Sequence, residues 1–249
     1  MKKLLCLLLA LVMVMAMAAC GNPAEEIAET DPNQPIYEQA LAAHKDGDYE
    51  TAYNLFSELG DYEESAQMLA TIKVETVGVT VETTTTEGSS ISNVEYIYKD
   101  GNLIKETVTH ADGTVTKNYY KYNDINLCTS ETHNDVDGGK TVINNFYKDS
   151  IMIRTTRTNP DKTKDTYEYT NDEQGKIHNH VLTLADGTVE EAVYNYDETT
   201  GLLVSIITAN SSNTFAYNQF GDVSNETLTV DGKEVYKANY TYNYSYSLI

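Results

Sequence analysis

The sequence predicts a mainly β protein: an antiparallel meander of repeated β-hairpins, preceded by a small α-helical segment. Three observations predict it. From Val74 to Ile249 apolar and polar residues alternate with period two, as in half-buried strands. Within that stretch an aromatic pair, usually Tyr-x-Tyr, recurs at intervals of 21 to 27 residues. Between the pairs lie Asp-Gly dipeptides, which tolerate the positive φ of tight hairpin turns.

The chain opens on Met1-Lys2-Lys3, followed by an apolar run from Leu4 to Ala19. That run is short of the roughly 20 residues a spanning helix needs and suits a signal peptide. It ends in Met17-Ala18-Ala19-Cys20-Gly21. This ending resembles the lipobox of bacterial lipoproteins, with Met17 where the family usually has Leu. The resemblance implies that residues 1–19 are a removable signal peptide, that cleavage falls between Ala19 and Cys20, and that the Cys20 thiol carries a diacylglyceryl group. The mature protein is then a lipid-anchored protein of the cell membrane, exposed outside the cytoplasm. At roughly 0.8 kcal/mol per buried methylene, two acyl chains anchor stably where one does so marginally. Residues 20–34 are polar and acidic and contain two prolines, which reads as the anchor and a flexible tether.

Residues 35–72 change character. Tyr37, Leu41 and Ala42, then Tyr49, Ala52, Tyr53 and Phe56, then Tyr62, Ala66 and Leu69 recur at helical spacing. Gly47-Asp48 and Gly60-Asp61 punctuate them. Gly47-Asp48-Tyr49-Glu50-Thr51-Ala52 through Phe56 resembles the middle of a tetratricopeptide repeat, which implies a helix pair meshed through Ala52 and Phe56. Solenoids of this kind need about three repeats to stand alone, so the piece is expected to be a small cap or satellite.

Residues 73–249 carry the repeat. Tyr96-Ile97-Tyr98-Lys99-Asp100-Gly101 returns around Tyr120-Lys121-Tyr122, Phe146-Tyr147, Tyr167-Glu168-Tyr169, Tyr194-Asn195-Tyr196, Phe215-Ala216-Tyr217 and Tyr240-Thr241-Tyr242. The second aromatics stand at 98, 122, 147, 169, 196, 217 and 242, spaced by 24, 25, 22, 27, 21 and 25 residues. A second set of turns falls at Ala111-Asp112-Gly113, Asp137-Gly138-Gly139, Ala185-Asp186-Gly187 and Asp231-Gly232. Each unit reads as strand, turn, strand, turn, which gives about fourteen antiparallel strands, each pairing with its neighbour in sequence. The run of Tyr-x-Tyr, Asp, Gly and Leu, clearest from Tyr194 to Leu203, resembles the YD repeats of the Rhs family. That resemblance implies the strand-turn-strand geometry and no toxin activity.

In each Tyr-x-Tyr the aromatics share a face and the middle residue takes the other. The middle residues Ile97, Lys121, Glu168, Asn195, Ala216 and Thr241 are mostly polar, so the aromatic face is expected inward and the other face wet. The reading is an elongated sheet, open or closed, with Lys233, Glu234 and Lys237 protecting an edge. Tyr96, Tyr98, Tyr120, Tyr122, Tyr194, Tyr196, Tyr240 and Tyr242 are the candidate ligand-facing aromatics.

The formal charge is −21, and loss of Lys2 and Lys3 with the leader makes it −23. Such a surface repels phosphate backbones and excludes nucleic acid as a partner. Of three cysteines, Cys6 lies in the leader and Cys20 in the anchor. Cys128 is then alone, and the default for it is an inert, partly buried thiol. His178 and His180 share a face if their segment is extended, but no third zinc ligand is evident. Asn134-Asp135-Val136-Asp137-Gly138 alternates oxygen ligands as calcium loops do and lacks the bidentate Glu of an EF-hand, so a hairpin turn is the reading. Thr83 to Thr86 is expected on an exposed strand face or strand end. No acid pair stands out, and neither a nucleophile motif nor a phosphate loop occurs. The expectation is a non-enzymatic, surface-anchored binding or structural module without cofactor or metal, its ligand a protein or glycan. The alternatives are a polysaccharide- or peptide-binding protein, and an envelope assembly factor working through the helical segment.

Overall fold

The computed structural model describes residues 31–249. The leader 1–19, Cys20 and the tether as far as residue 30 lie outside the described residues. The chain divides into a helical unit ending at Leu69 and a β unit running from Ala70 to Ile249.

The helical unit holds α1 (Gln34–Asp46), α2 (Tyr49–Leu59) and α3 (Ser65–Leu69). Pro35 lies in the first turn of α1, where a missing N–H costs no intrahelical bond. Gly47 ends α1 at φ 79°, a conformation that Gly adopts without a Cβ penalty. Asp48 then caps α2, its carboxylate accepting the Thr51 N–H at 3.2 Å. Ala40, Ala52 and Phe56 are fully buried, and Tyr37 meets Phe56 edge-on. The helical segment stops short of the expected residue 72. Ile72 is instead the first residue of the sheet, buried and paired with Leu248.

The β unit contains β1 (Ile72–Thr85), β2 (Gly88–Lys99), β3 (Asn102–Thr109), β4 (Val115–Tyr122), β5 (Cys128–Asn134), β6 (Lys140–Lys148) and β7 (Ile151–Thr158). It continues with β8 (Lys164–Asn171), β9 (Ile177–Thr183), β10 (Val189–Tyr196), β11 (Leu203–Ile207), β12 (Ser211–Tyr217), β13 (Val223–Val230) and β14 (Lys233–Leu248). Every strand runs antiparallel to its neighbour in sequence, and β14 pairs with β1, so the meander closes into a 14-stranded barrel. The closing seam pairs Ile72 with Leu248 through Thr85 with Tyr236, and one bulge lies between Thr76 and Gly78. A Cβ at Gly78 would lie 2.8 Å from the Val94 carbonyl oxygen, so that close approach requires Gly. Closure decides between the open and the closed sheet that the sequence left as alternatives. It also removes the edge that Lys233, Glu234 and Lys237 were expected to protect, because β14 is paired on both sides.

The middle residues of the repeat (Ile97, Lys121, Glu168, Asn195, Ala216 and Thr241) are all exposed, while the tyrosines beside them are mostly half-buried. The tyrosines occupy the concave face. After burial and Glu106, the Tyr242 phenol also raises the pKa of Tyr96 although β1 lies between their strands. Tyr96–Tyr98 and Tyr240–Tyr242 rings lie 6.3 and 6.4 Å apart, so each pair shares that face.

The register slips by one residue opposite the last aromatic of five units, at Tyr98, Tyr122, Tyr147, Tyr196 and Tyr217. In the Tyr167–Tyr169 unit the slip falls at Asn171, not at Tyr169, and two further slips lie between Leu228 and Thr229 and between Thr76 and Gly78. The second aromatic placed at 169 is therefore corrected: Asn171 holds that position, and Tyr169 takes the first position of its unit. The equivalent positions become 98, 122, 147, 171, 196, 217 and 242, with five of six spacings at 24 or 25 residues. Each bulge bends its strand and adds twist, which curls a meander toward closure.

The turns follow their residue types. Asp100-Gly101, Asp149-Ser150 and Asp231-Gly232 have positive φ at both positions, as two-residue hairpins with type I′ turns require. Other turns, such as His110–Thr114 and Leu184–Thr188, span five residues, and in them an Asp carboxylate accepts the N–H two residues on. Asn159–Thr163 has the same geometry, with Lys162 at φ 73° where other units have Gly. Asp135–Gly139 is likewise a hairpin turn, Asp137 accepting the Gly139 N–H. Thr83 and Thr84 lie at the exposed end of β1.

Candidate luminal binding site

Few apolar side chains of the barrel are buried: Ile72, Val79, Ala192 and Ala238. A ring of fourteen strands is too wide for its side chains to meet as a packed core. Its inner wall is a layer of tyrosines, amides and carboxylates that bond one another along the wall.

From the second unit on, the last aromatic is tied to the wall itself. The hydroxyls of Tyr122, Tyr147, Tyr196, Tyr217 and Tyr242 donate to the carbonyls of Leu103, Cys128, Ile177, Leu203 and Val223, at 2.6 to 2.9 Å. In the remaining unit the Asn171 amide donates to the Met152 carbonyl at 2.9 Å. Each acceptor is the first or second residue of the preceding strand and sits at a bulge, opposite the equivalent aromatic or Asn of the unit before. The bulge interrupts the ladder there. A side chain from the next hairpin supplies the donor and stitches unit to unit.

Above this seam the wall carries carboxylates at one repeat position: Glu106, Glu131 and Glu226. Glu226 accepts Tyr240 Oη at 2.8 Å and Asn213 Nδ2 at 2.7 Å. Glu106 accepts Asn118 Nδ2 at 3.0 Å. Burial, followed by the Glu106 carboxylate, pushes the Tyr120 phenol far above its ordinary range. Burial likewise raises Tyr96, Tyr194 and Tyr240, and lifts Tyr242 to about 12.

The third carboxylate opens onto a cavity of about 530 Å³ between β5 and β8. Glu131 Oε2 lies 3.2 Å from His133 Nε2, and Asn145 Nδ2 donates to Glu131 Oε1 at 3.2 Å. Thr155, nearly buried, donates to Asn145 Oδ1 at 2.9 Å. The His133 hydrogen bond holds the Glu131 carboxyl below its usual range, and the same bond raises the His133 imidazole. Tyr167 and Tyr169 form another wall, rings stacked at 6.5 Å and 12°. His180 packs edge-on against both rings, its Nδ1 lying 2.9 Å from Tyr194 Oη. Desolvation among these rings lowers its pKa. Arg157 also lines the cavity.

The structure distributes the candidate aromatics along the whole inner wall. Tyr122, Tyr196 and Tyr242 bind wall carbonyls, Tyr240 binds Glu226 and Tyr194 meets His180. Tyr96 borders a separate hollow beside Gly78 and Asn243. The stacked pair that does line the β5–β8 cavity, Tyr167 and Tyr169, belongs to the same repeat. The luminal Glu residues had a readable signal: Lys-Glu-Thr-Val-Thr at 105–109, Ser-Glu-Thr-His-Asn at 130–134 and Asn-Glu-Thr-Leu-Thr at 225–229 put Glu in register. His178 and His180 do not form a pair on one regular face. His178 is the extra residue of the bulge between Thr170 and Asn171, exposed, while His180 points among the tyrosines. Among the described residues no three His, Cys, Asp or Glu side chains converge to hold a metal. Cys128 is half-buried, and burial pushes its thiol up. Among the described residues no helix is long and apolar enough to cross a membrane.

No protein-family model and no curated protein matches the sequence. Among solved structures, a porin-like protein from Bacteroides uniformis matches at 13% identity over 68% of this chain and 98% of its own, with a TM-score of 0.40. A porin-like protein from Bacteroides vulgatus matches at 12% identity over 68% of this chain and 99% of its own, with a TM-score of 0.27. The Tc holotoxin pore of Photorhabdus luminescens matches at 12% identity over 64% of this chain and 11% of its own, with a TM-score of 0.24.

Proposed function

We propose that the protein is a lipid-anchored, non-enzymatic binding module of the cell envelope whose barrel lumen receives a saccharide between β5 and β8. The observation that carries this reading is the stacked Tyr167–Tyr169 pair on one wall of a polar concave cavity. Tyrosine rings offer flat apolar faces to the C–H side of a sugar ring, and Glu131, Asn145 and Thr141 offer acceptors and donors to its hydroxyls. Binding is favoured over catalysis because the polar groups already bond one another: His133 with Glu131, and Thr155 with Asn145.

Membrane attachment is assigned to the lipobox-like Cys20 and not to the barrel. A barrel that spans a bilayer turns an apolar band outward. Here Lys121, Glu168, Asn195 and Thr241 stand exposed on the outer face. The meshing of Ala52 and Phe56 supports a tetratricopeptide-like hairpin, and the strand-turn-strand units with Asx-capped turns support a YD-type repeat.

Glycan-array screening of the mature chain, followed by calorimetry, tests the site. A bound oligosaccharide whose affinity falls at least about ten-fold in the Tyr167→Ala/Tyr169→Ala variant is the expected result. Undiminished binding by that variant, or no glycan bound by the wild type, overturns the reading. Intact mass of membrane-extracted protein tests the anchor, and a mass without acyl groups rejects it.

A further inference from the structure

Resting on that reading of the cavity, we infer that the β5–β8 site selects saccharides bearing a carboxylate, with Arg157 as the group that binds it. The sequence contains two arginines, Arg154 and Arg157, against 38 acidic residues. Arg154 lies over the Phe146 ring at 4.2 Å. Arg157 lines the cavity, exposed, and makes no hydrogen bond or ion pair with any described residue.

A carboxylate partner is close in the sheet, yet it is engaged elsewhere. Asp165 pairs across the strand from Arg157 and is nearly buried. Its Oδ2 accepts Asn159 Nδ2 at 3.0 Å and its Oδ1 accepts the Ala185 N–H at 3.1 Å. In so acidic a chain, a guanidinium left unpaired on a concave wall keeps its full fork of donors for a ligand. That fork matches a carboxylate with two parallel hydrogen bonds.

The other charges narrow the ligand further. Glu131 faces the same cavity and repels a second carboxylate, while it accepts hydroxyl donors readily. A single carboxylate at Arg157, hydroxyls toward Glu131 and an apolar ring face on Tyr167 and Tyr169 together describe an acidic sugar.

The test titrates the full mature chain with a glucuronate-containing oligosaccharide and with the same oligosaccharide after reduction of its carboxyl to the alcohol. The acidic form is expected to bind about ten-fold or more tightly. Arg157→Gln should abolish that preference, so that the two forms bind alike, and Arg157→Lys should restore only part of it. Because Arg157 bonds to nothing in the wall, both variants should fold, which circular dichroism checks. Equal affinities in the wild type overturn the acidic selectivity and leave the saccharide site standing. Binding of neither form overturns both. Persistence of the preference in Arg157→Gln removes Arg157 from the site and overturns the inference.

Discussion

Asn171 donates its side-chain amide to the Met152 carbonyl at 2.9 Å, in the place where Tyr196 one unit later donates its hydroxyl to Ile177 at 2.8 Å. Two unlike side chains meet one requirement: a donor for a carbonyl whose strand is bulged. The seam should therefore be measurable bond by bond. Tyr122→Phe, Tyr196→Phe and Tyr242→Phe are each expected to lower the unfolding free energy by about 1 kcal/mol. Tyr147→Phe should cost less, because Asn145 Nδ2 also donates to the Cys128 carbonyl, at 3.2 Å. Urea midpoints at constant slope read the differences. Equal losses at Tyr147 and Tyr196 would show that the Asn145 amide does not relieve the Cys128 carbonyl, and no loss at any of the four would show that the hydroxyls are solvated and not structural.

The turns make a second, independent prediction. Ser150 at φ 67° and Lys162 at φ 73° hold a left-handed backbone that Gly101 and Gly113 hold in sister turns. A Cβ in that region costs roughly 1–2 kcal/mol, partly offset by the greater freedom Gly has when unfolded. Ser150→Gly and Lys162→Gly should each raise stability by up to about 1 kcal/mol, additively, since the two turns lie at opposite rims. A fall in the thermal midpoint of either variant would refute this.

These two cases show what was legible in the sequence. Alternation and Asp-Gly turns carry local geometry, so strand number, order and the inward face of Tyr194 and Tyr196 were readable. The register was not. Asn171 has none of the aromatic character that marks its repeat position, and only the bulge opposite it identifies it. Closure also left no local mark, because it depends on accumulated twist and on the β1–β14 seam, whose strands lie at opposite ends of the unit. The cavity was hidden for the same reason: Glu131, Arg157 and Tyr167 come from three strands, and their convergence on one wall follows from register alone.

Alkaline titration should divide the 20 tyrosines into classes. Burial raises Tyr96, Tyr120, Tyr194 and Tyr240, and Tyr242 to about 12, because the phenolate is the form that loses hydration. A raised folded pKa means that the native state holds its proton more tightly. The associated stability is intact below the ordinary phenol value of about 10 and is lost as pH climbs through the folded values. Tyrosinate absorbance at about pH 11 should therefore report only part of the total until denaturant is added. Full ionisation in the native state at that pH would mean that the lumen is freely hydrated.

The two luminal histidines should titrate on opposite sides of the ordinary imidazole value of about 6.5. His133 is raised by its bond to Glu131, and His180 is lowered by desolvation among the tyrosines. For the Glu131–His133 pair the signs define a window. The His133 contribution is complete below about pH 6.5 and disappears as pH rises through its folded value. The Glu131 contribution, from a lowered pKa, is complete above about pH 4.3 and disappears as pH falls through its folded value. The pair therefore stabilises most between about pH 4.3 and 6.5. With side chains 34% and 25% exposed, solvent screening limits its worth to about 0.5 kcal/mol. Imidazole proton shifts followed by NMR check the order of titration. Glu131→Gln should bring His133 back toward the ordinary value and leave His180 where it is. A His133 that titrates normally in the wild type would mean that the 3.2 Å contact does not persist in solution, and Glu131 would then face the cavity as an unpaired acceptor.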